Sequence, residues 1–159
     1  MPITVPSLKG RALRLLSTRE HSRAELERKL APYAPEPGQL APILDDLQAR
    51  GFICEERVAA SVVNLRAAKF GASRIRQEMQ AKGLARDLVD AAMAGLQQSE
   101  LARAKRVWDK KFGGARALAD GAHRAHQARF LASRGFGSDT IRRVLSGPGA
   151  DEEDPSGEQ

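Results

Sequence analysis

Phe70-Gly71-Ala72-Ser73-Arg74-Ile75-Arg76-Gln77-Glu78-Met79-Gln80-Ala81-Lys82-Gly83-Leu84 is the stretch on which the fold turns. Ile75 and Met79 share one helical face. Lys82-Gly83-Leu84 then ends the helix: a cation at the negative end of the dipole, a glycine free to turn left-handed, and an apolar residue that can fold back. The same ending stands at Arg50-Gly51-Phe52 and Arg134-Gly135-Phe136. In the register set by Gly83 and Gly135, Val89, Ala92 and Met93 fall on Ile141, Val144 and Leu145, so the pattern recurs after about fifty residues. Leu26 and Leu30 match Ile75 and Met79 more loosely, and Ile43 and Leu47 match Val89 and Met93 after an insertion in a Pro-rich turn. Lys69-Phe70-Gly71 also repeats as Lys111-Phe112-Gly113. That pair is closer together, which puts roughly ten extra residues between Gly113 and His126.

Outward from this stretch, Ser22-Arg23-Ala24-Glu25 is a capping box that starts a helix, and Ala31-Pro32 stops it because proline disfavours helical geometry before it. Leu40, Ile43, Leu44 and Leu47 mark the next helix, up to Gly51, onto whose last turn Phe52 is expected to fold. The other expected helices are 11–16, 55–69, 72–82, 85–96, 99–112, 121–134 and 138–145. The expected fold is all-α: an elongated tandem array of three three-helix repeats, about nine helices, each unit burying its apolar stripe on the next. Its units are 10–54, 55–97 and 98–146, the last with the insertion. Residues 1–9 are expected to form a disordered N-terminal tail and 147–159 an acidic disordered C-terminal tail.

Charge sharpens this organisation. All 26 basic residues but only 15 of the 20 acidic ones precede Gly147, so residues 1–146 carry +11 where the whole chain carries +6. Such a body suits polyanions or acidic protein grooves, or is a solvated arginine-rich surface. Aromatic residues make up 4% of the chain, which favours helix packing over an aromatic sheet. Cys54 has no disulfide partner, no basic-then-apolar leader opens the chain, and no apolar run approaches a membrane-spanning length, so a cytoplasmic protein without membrane contact is expected.

Three segments in order resemble the RecX family, across nearly all of residues 10–146. They are Ser22 to Leu30 with Leu47-Gln48-Ala49-Arg50-Gly51-Phe52-Ile53, then Phe70 to Leu84, then Arg129-Phe130-Leu131-Ala132-Ser133-Arg134-Gly135-Phe136. The resemblance implies three tandem three-helix repeats and a modulator of the RecA recombinase. Such a protein binds along the groove of the RecA–DNA filament, contacts neighbouring protomers, and inhibits strand exchange and ATP hydrolysis or limits filament growth. The implied partners are the RecA nucleoprotein filament and its single- or double-stranded DNA, met by a monomer without cofactor. The chain departs from the family at Cys54-Glu55, where Asp is usual, and in its acidic tail.

The residues expected to form the RecA- and DNA-binding basic surface are Arg74, Arg76, Lys82, Arg103, Arg106, Lys110, Arg129, Arg134, Arg142 and Arg143. Arg103, Arg106 and Lys110 line up beside the stripe of Leu101, Ala104, Trp108 and Phe112, while Arg74 and Arg76 flank Ile75 and Arg142 and Arg143 follow Ile141. Cations so placed meet phosphates or carboxylates through charge-assisted hydrogen bonds, although any one of them taken alone suits an ordinary solvated face. The spacing of Trp108 favours the core over base stacking. His123 and His126 lack further ligands for a metal. Neither His21 nor Cys54 has the partners of a nucleophile, and no phosphate-cradling glycine loop is present, so no enzymatic activity is expected. The alternative is a stand-alone helical DNA-binding protein that acts without RecA, or a scaffold for another acidic protein.

Overall fold

The computed structural model describes residues 4–113 and 120–147, and every regular element among them is helical. In chain order these are α1 (Leu8–Thr18), α2 (Arg23–Leu30), a 3-10 turn (Ala31–Tyr33), α3 (Leu40–Ala49), α4 (Glu55–Arg66), α5 (Ala72–Ala81), α6 (Arg86–Phe112), α7 (Gly121–Ser133) and α8 (Ser138–Ser146). No described helix is long and apolar enough to cross a membrane.

The glycine stops form as the sequence implies. Gly51, Gly83 and Gly135 all have positive φ, and Phe52, Leu84 and Phe136 each donate a backbone N–H to the carbonyl five residues back, at Leu47, Met79 and Leu131. Leu84 and Phe136 bury their side chains, but Phe52 does not fold back: it is 48% exposed, and Ile53 fills the place beside Leu44 and Leu47.

Other expectations change at helix ends. The segments 85–96 and 99–112 are one continuous helix, α6, so eight α-helices and a 3-10 turn replace the expected nine among the described residues. Leu96-Gln97-Gln98-Ser99 contains no stop signal, and Ser99 Oγ donates back to Leu96 O at 3.2 Å instead of capping a new helix. Ser7 caps α1 by accepting from Gly10 N at 3.0 Å, so helix begins at Leu8, inside the expected tail. Residues 1–3, 114–119 of the insertion and 148–159 of the acidic tail lie outside the described residues.

Two compact units divide the chain. The first comprises residues up to Asn64 together with Gln77–Ala92. Its main cluster is Ala12, Leu26, Leu30, Leu44, Leu47 and Ile53 from α1–α3 and the turn after α3. There the capping box at Ser22 and Glu25 forms as expected, and it also reaches a distant partner. Ser22 Oγ donates to Lys82 O at 2.5 Å, and Lys82 Nζ donates to Glu25 Oε1 at 2.8 Å. Burial works to raise the Glu25 carboxyl, but Lys82, the Ser22 N–H and Arg19 overcome it and hold it at about 2. Fully buried His21 bonds the Arg19 carbonyl through Nδ1 and Lys29 Nζ through Nε2, a pattern that requires the neutral ring. Burial lowers its pKa most; the Arg19 carbonyl opposes this, and the Arg19 and Lys29 charges add to it.

A two-stage acid response follows. Unfolded His21 takes up its proton near pH 6.5 while the folded ring resists, so the unfolded chain binds more protons and stability drops as pH falls below about 6.5. Glu25 contributes fully above about 4.5, and that contribution is lost as pH falls toward about 2. Denaturant midpoints recorded from pH 7.5 to 3 are expected to fall in both windows, and His21→Asn is expected to remove the upper stage alone. A flat midpoint between pH 7 and 5 would overturn the His21 assignment.

The second unit comprises Leu65–Arg76 and the chain from Met93 onward. Ala104, Trp108, Leu131, Phe136, Ile141 and Val144 form its core, with Leu101, Phe112, Phe130 and Leu145 packed against it. Trp108 is buried, as its spacing implied, and its Nε1 donates to Gln127 Oε1 at 3.0 Å. Glu100 ties two helix starts, accepting from Ala72 N of α5 and Thr140 Oγ1 of α8, each at 3.2 Å.

Candidate functional site

Because the stripe of Ala104 and Trp108 turns inward, α6 presents Arg106 and Lys110 outward, one turn apart. Together with Val107 and Lys111 they form one wall of a cleft of about 420 Å³. Phe130 and Arg134, from α7 and its end, and Ala68 and Lys69, after α4, complete it. Five cations therefore line one hollow, and among the described residues none that lines it is acidic. Like charges gathered in one place repel one another, so the cleft is complementary to an anion of several charges.

An aromatic ring, that of Phe130, lies among these cations. Phe130 packs edge-on against Phe112 with centroids 5.3 Å apart, and its ring carries Lys111 Nζ at 5.5 Å and Arg134 Cζ at 5.1 Å. Arg134 also lies 5.4 Å from the Phe70 ring, which carries Arg74 at 4.4 Å and Arg66 at 6.0 Å as well. The π-faces hold these guanidinium groups in place without neutralising them, so the basic surface continues from the cleft through Arg134 to Phe70. Arg74 is fixed further by donating from Nη1 to Ser133 O at 3.0 Å.

Of the ten cations expected on the binding surface, the structure brings Arg106, Lys110 and Arg134 to the cleft and Arg74 beside it. Arg129, Arg142 and Arg143 are exposed elsewhere on the second unit, Arg142 in an ion pair with Asp139 at 2.6 Å. Arg76 is half-buried. Lys82 lies in the first unit, committed to Glu25.

Arg103 is a correction. It is only 6% exposed and donates to Ala67 O, Phe70 O, Leu96 O and Ser99 Oγ at 2.7–3.1 Å, so it cannot share an outward stripe with Arg106. Burial lowers its pKa, with Glu100 opposing and Arg106 adding, and its charge is met by carbonyls at the negative end of α4. Lys69 and Lys111 were not among the expected site residues. Their signal was the repeated Lys-Phe-Gly, whose two lysines meet in this cleft. The first unit has its own basic hollow of about 220 Å³, where Arg11, Arg14 and Lys29 surround Leu15 and Tyr33. Arg11 lies 3.9 Å from the Tyr33 ring.

The chain matches the family models for the first, second and third three-helix domains of RecX, over residues 9–32, 55–93 and 98–145. The second and third matches both fall on α6. The regulatory protein RecX of Leptothrix cholodnii is 54% identical over 139 residues, covering 87% of each chain. That of Ralstonia nicotianae is 46% identical over 144 residues, covering 91% of this chain and 89% of its own. Among solved structures, the crystal structure of RecX from Lactobacillus salivarius superposes with a TM-score of 0.74 at 18% identity, over 87% of this chain and 92% of that one. Another crystal structure of a regulatory protein RecX gives 0.75 at 22% identity, over 88% and 72%. The two structures speak to the fold, the sequence matches to descent, and this chain belongs to the RecX family of regulatory proteins.

Proposed function

We propose that this protein binds the RecA–DNA filament in its groove and inhibits strand exchange and ATP hydrolysis, with the cleft between α6 and α7 as a principal polyanion contact. The single observation that carries the proposal is the lining of that cleft: five cations and no acid among the described residues, on a chain of the RecX family. Binding energy does the work, and no covalent step is involved. The chain acts as a cytoplasmic monomer built of three three-helix units, 10–54, 55–97 and 98–146. Arg106, Lys110, Lys111, Lys69 and Arg134 meet phosphates or carboxylates by charge-assisted hydrogen bonds, while Arg74 extends the contact along Phe70.

RecA ATPase on single-stranded DNA tests this. Near-stoichiometric protein is expected to inhibit, and Arg106→Gln/Lys110→Gln is expected to raise the half-inhibiting concentration by about ten-fold, on the order of 1.4 kcal/mol. The salt slope of binding should fall by about 2 for the two lost charges. Absence of inhibition by the unaltered chain would sink the RecA assignment. Tight, salt-steep binding to DNA alone, with no effect on RecA, would instead establish a stand-alone DNA binder.

A further inference from the structure

The last residues of the chain are acidic in a way its body is not. Residues 148–159 contain Asp151, Glu152, Glu153, Asp154 and Glu158, and no Lys or Arg. The cleft in the second unit has the opposite character, and its cations Lys69, Arg106, Lys110, Lys111 and Arg134 make no ion pair among the described residues. The two are complementary in sign.

The geometry of α8 puts the acidic run within reach. Arg124 Nη2 donates to Leu145 O at 3.0 Å, so the end of α8 lies beside the first half of α7. From Arg124 the helix rises about 9 Å to Phe130 and about 15 Å to Arg134. From Leu145 the chain to Asp154 can extend up to about 30 Å. An occupant tethered this closely has a local concentration in the millimolar range, so even a weak carboxylate contact is populated.

We propose that the cleft is a polycarboxylate-binding site whose ligand is the Asp151–Asp154 run of this same chain, which the phosphates of a nucleic-acid strand must displace. This rests on the assignment of the cleft as the polyanion contact under Proposed function, and it adds the way that contact is regulated. Salt screens the attraction between carboxylates and the cations of an open cleft, so masking is strongest at low ionic strength. The free protein then carries a covered cleft, and only a partner with a denser line of charge opens it.

Two measurements on the full chain test the proposal. The first compares binding of a labelled oligothymidylate to the unaltered chain and to D151N/E152Q/E153Q/D154N. The neutralised chain is expected to bind at least about three-fold more tightly at low salt. The difference should vanish in high salt and in an Arg106→Gln/Lys110→Gln background. Equal affinities at low salt, or a difference that survives loss of the cleft cations, would overturn the docking. The second places a nitroxide at S156C in a C54S background and follows backbone amides by NMR. Broadening of 106–111 and 130–134, relieved by oligothymidylate, is expected, and unbroadened signals there would also overturn it. Neither readout involves RecA. Docking without ATPase inhibition therefore supports this proposal and refutes the filament assignment, and inhibition without docking does the reverse.

Discussion

Gly71→Ala is expected to destabilise the protein by at least about 3 kcal/mol, lowering the melting temperature by about 6–12 °C. A Cβ on Gly71 would overlap Gly135 O, Gly135 C and Phe136 N, all backbone atoms that cannot step aside by changing rotamer. The approach is close because Gly71 N donates to Arg134 O at 2.7 Å and Ser73 N to Gly135 O at 3.3 Å. The start of α5 thus meets the carbonyls of the glycine stop that follows α7, and each satisfies the other. Gly135 faces the same joint from the other side: its φ of +87° suits glycine, and an added Cβ would stand 2.5 Å from Arg74 Cβ. Separating the chains enough to admit one methyl group would break both hydrogen bonds. Gly95→Ala is the control of opposite sign. It lies within α6 with nothing near its would-be Cβ, and alanine there is expected to stabilise by about 0.5–1 kcal/mol. Melting followed by circular dichroism checks both, and a loss under about 1 kcal/mol for Gly71→Ala would show that the joint yields.

An equivalent joint in the first unit shows what the sequence repeat encodes. There Ser22 Oγ donates to Lys82 O, and a Cβ on Gly83 would meet Ala24 Cβ at 2.7 Å. Ser22 occupies the place of Gly71, and Lys82-Gly83 that of Arg134-Gly135. The glycines were readable from sequence because positive φ leaves few other choices. Their second duty, admitting the start of another helix, was not, because that contact joins segments about sixty residues apart. The same limit applies to the site. Arg106 and Lys110 are visible on one helical face, but the cleft also needs Lys69, Phe130 and Arg134 from two other segments. Phe52 and Ile53 show a finer limit, since the motif specifies an apolar residue after the glycine and packing against Leu44 and Leu47 chose the next one.

The burial of Arg103 follows from the continuity of α6 and makes its own prediction. With residues 85–96 and 99–112 taken as separate helices, Arg103 has only Arg106 and Lys110 to align with. In the continuous α6 it stands seven residues after Leu96, hence on the same face, and Leu96 is buried. A guanidinium there must spend all its hydrogen bonds internally. It does so on Ala67 O and Phe70 O, which hold the segment leading to Gly71, and on Leu96 O and Ser99 Oγ of its own helix. Arg103→Met keeps much of the apolar stem but removes every donor and leaves buried carbonyls unpaired, at an expected cost of about 3–4 kcal/mol. Arg103→Lys retains the charge, yet a single ammonium cannot span both the 67–70 segment and Leu96, so a loss of about 2 kcal/mol is expected. Denaturant unfolding gives the order. Under conditions where Arg103→Lys remains folded, its oligothymidylate affinity and salt slope should equal those of the unaltered chain, whereas Arg106→Gln, which touches no core, should keep its stability and lose salt slope. If Arg103→Lys instead lowered the salt slope at full stability, the buried arginine would have to be counted among the polyanion contacts, and the division between the cation that builds the cleft and the cations that line it would fail.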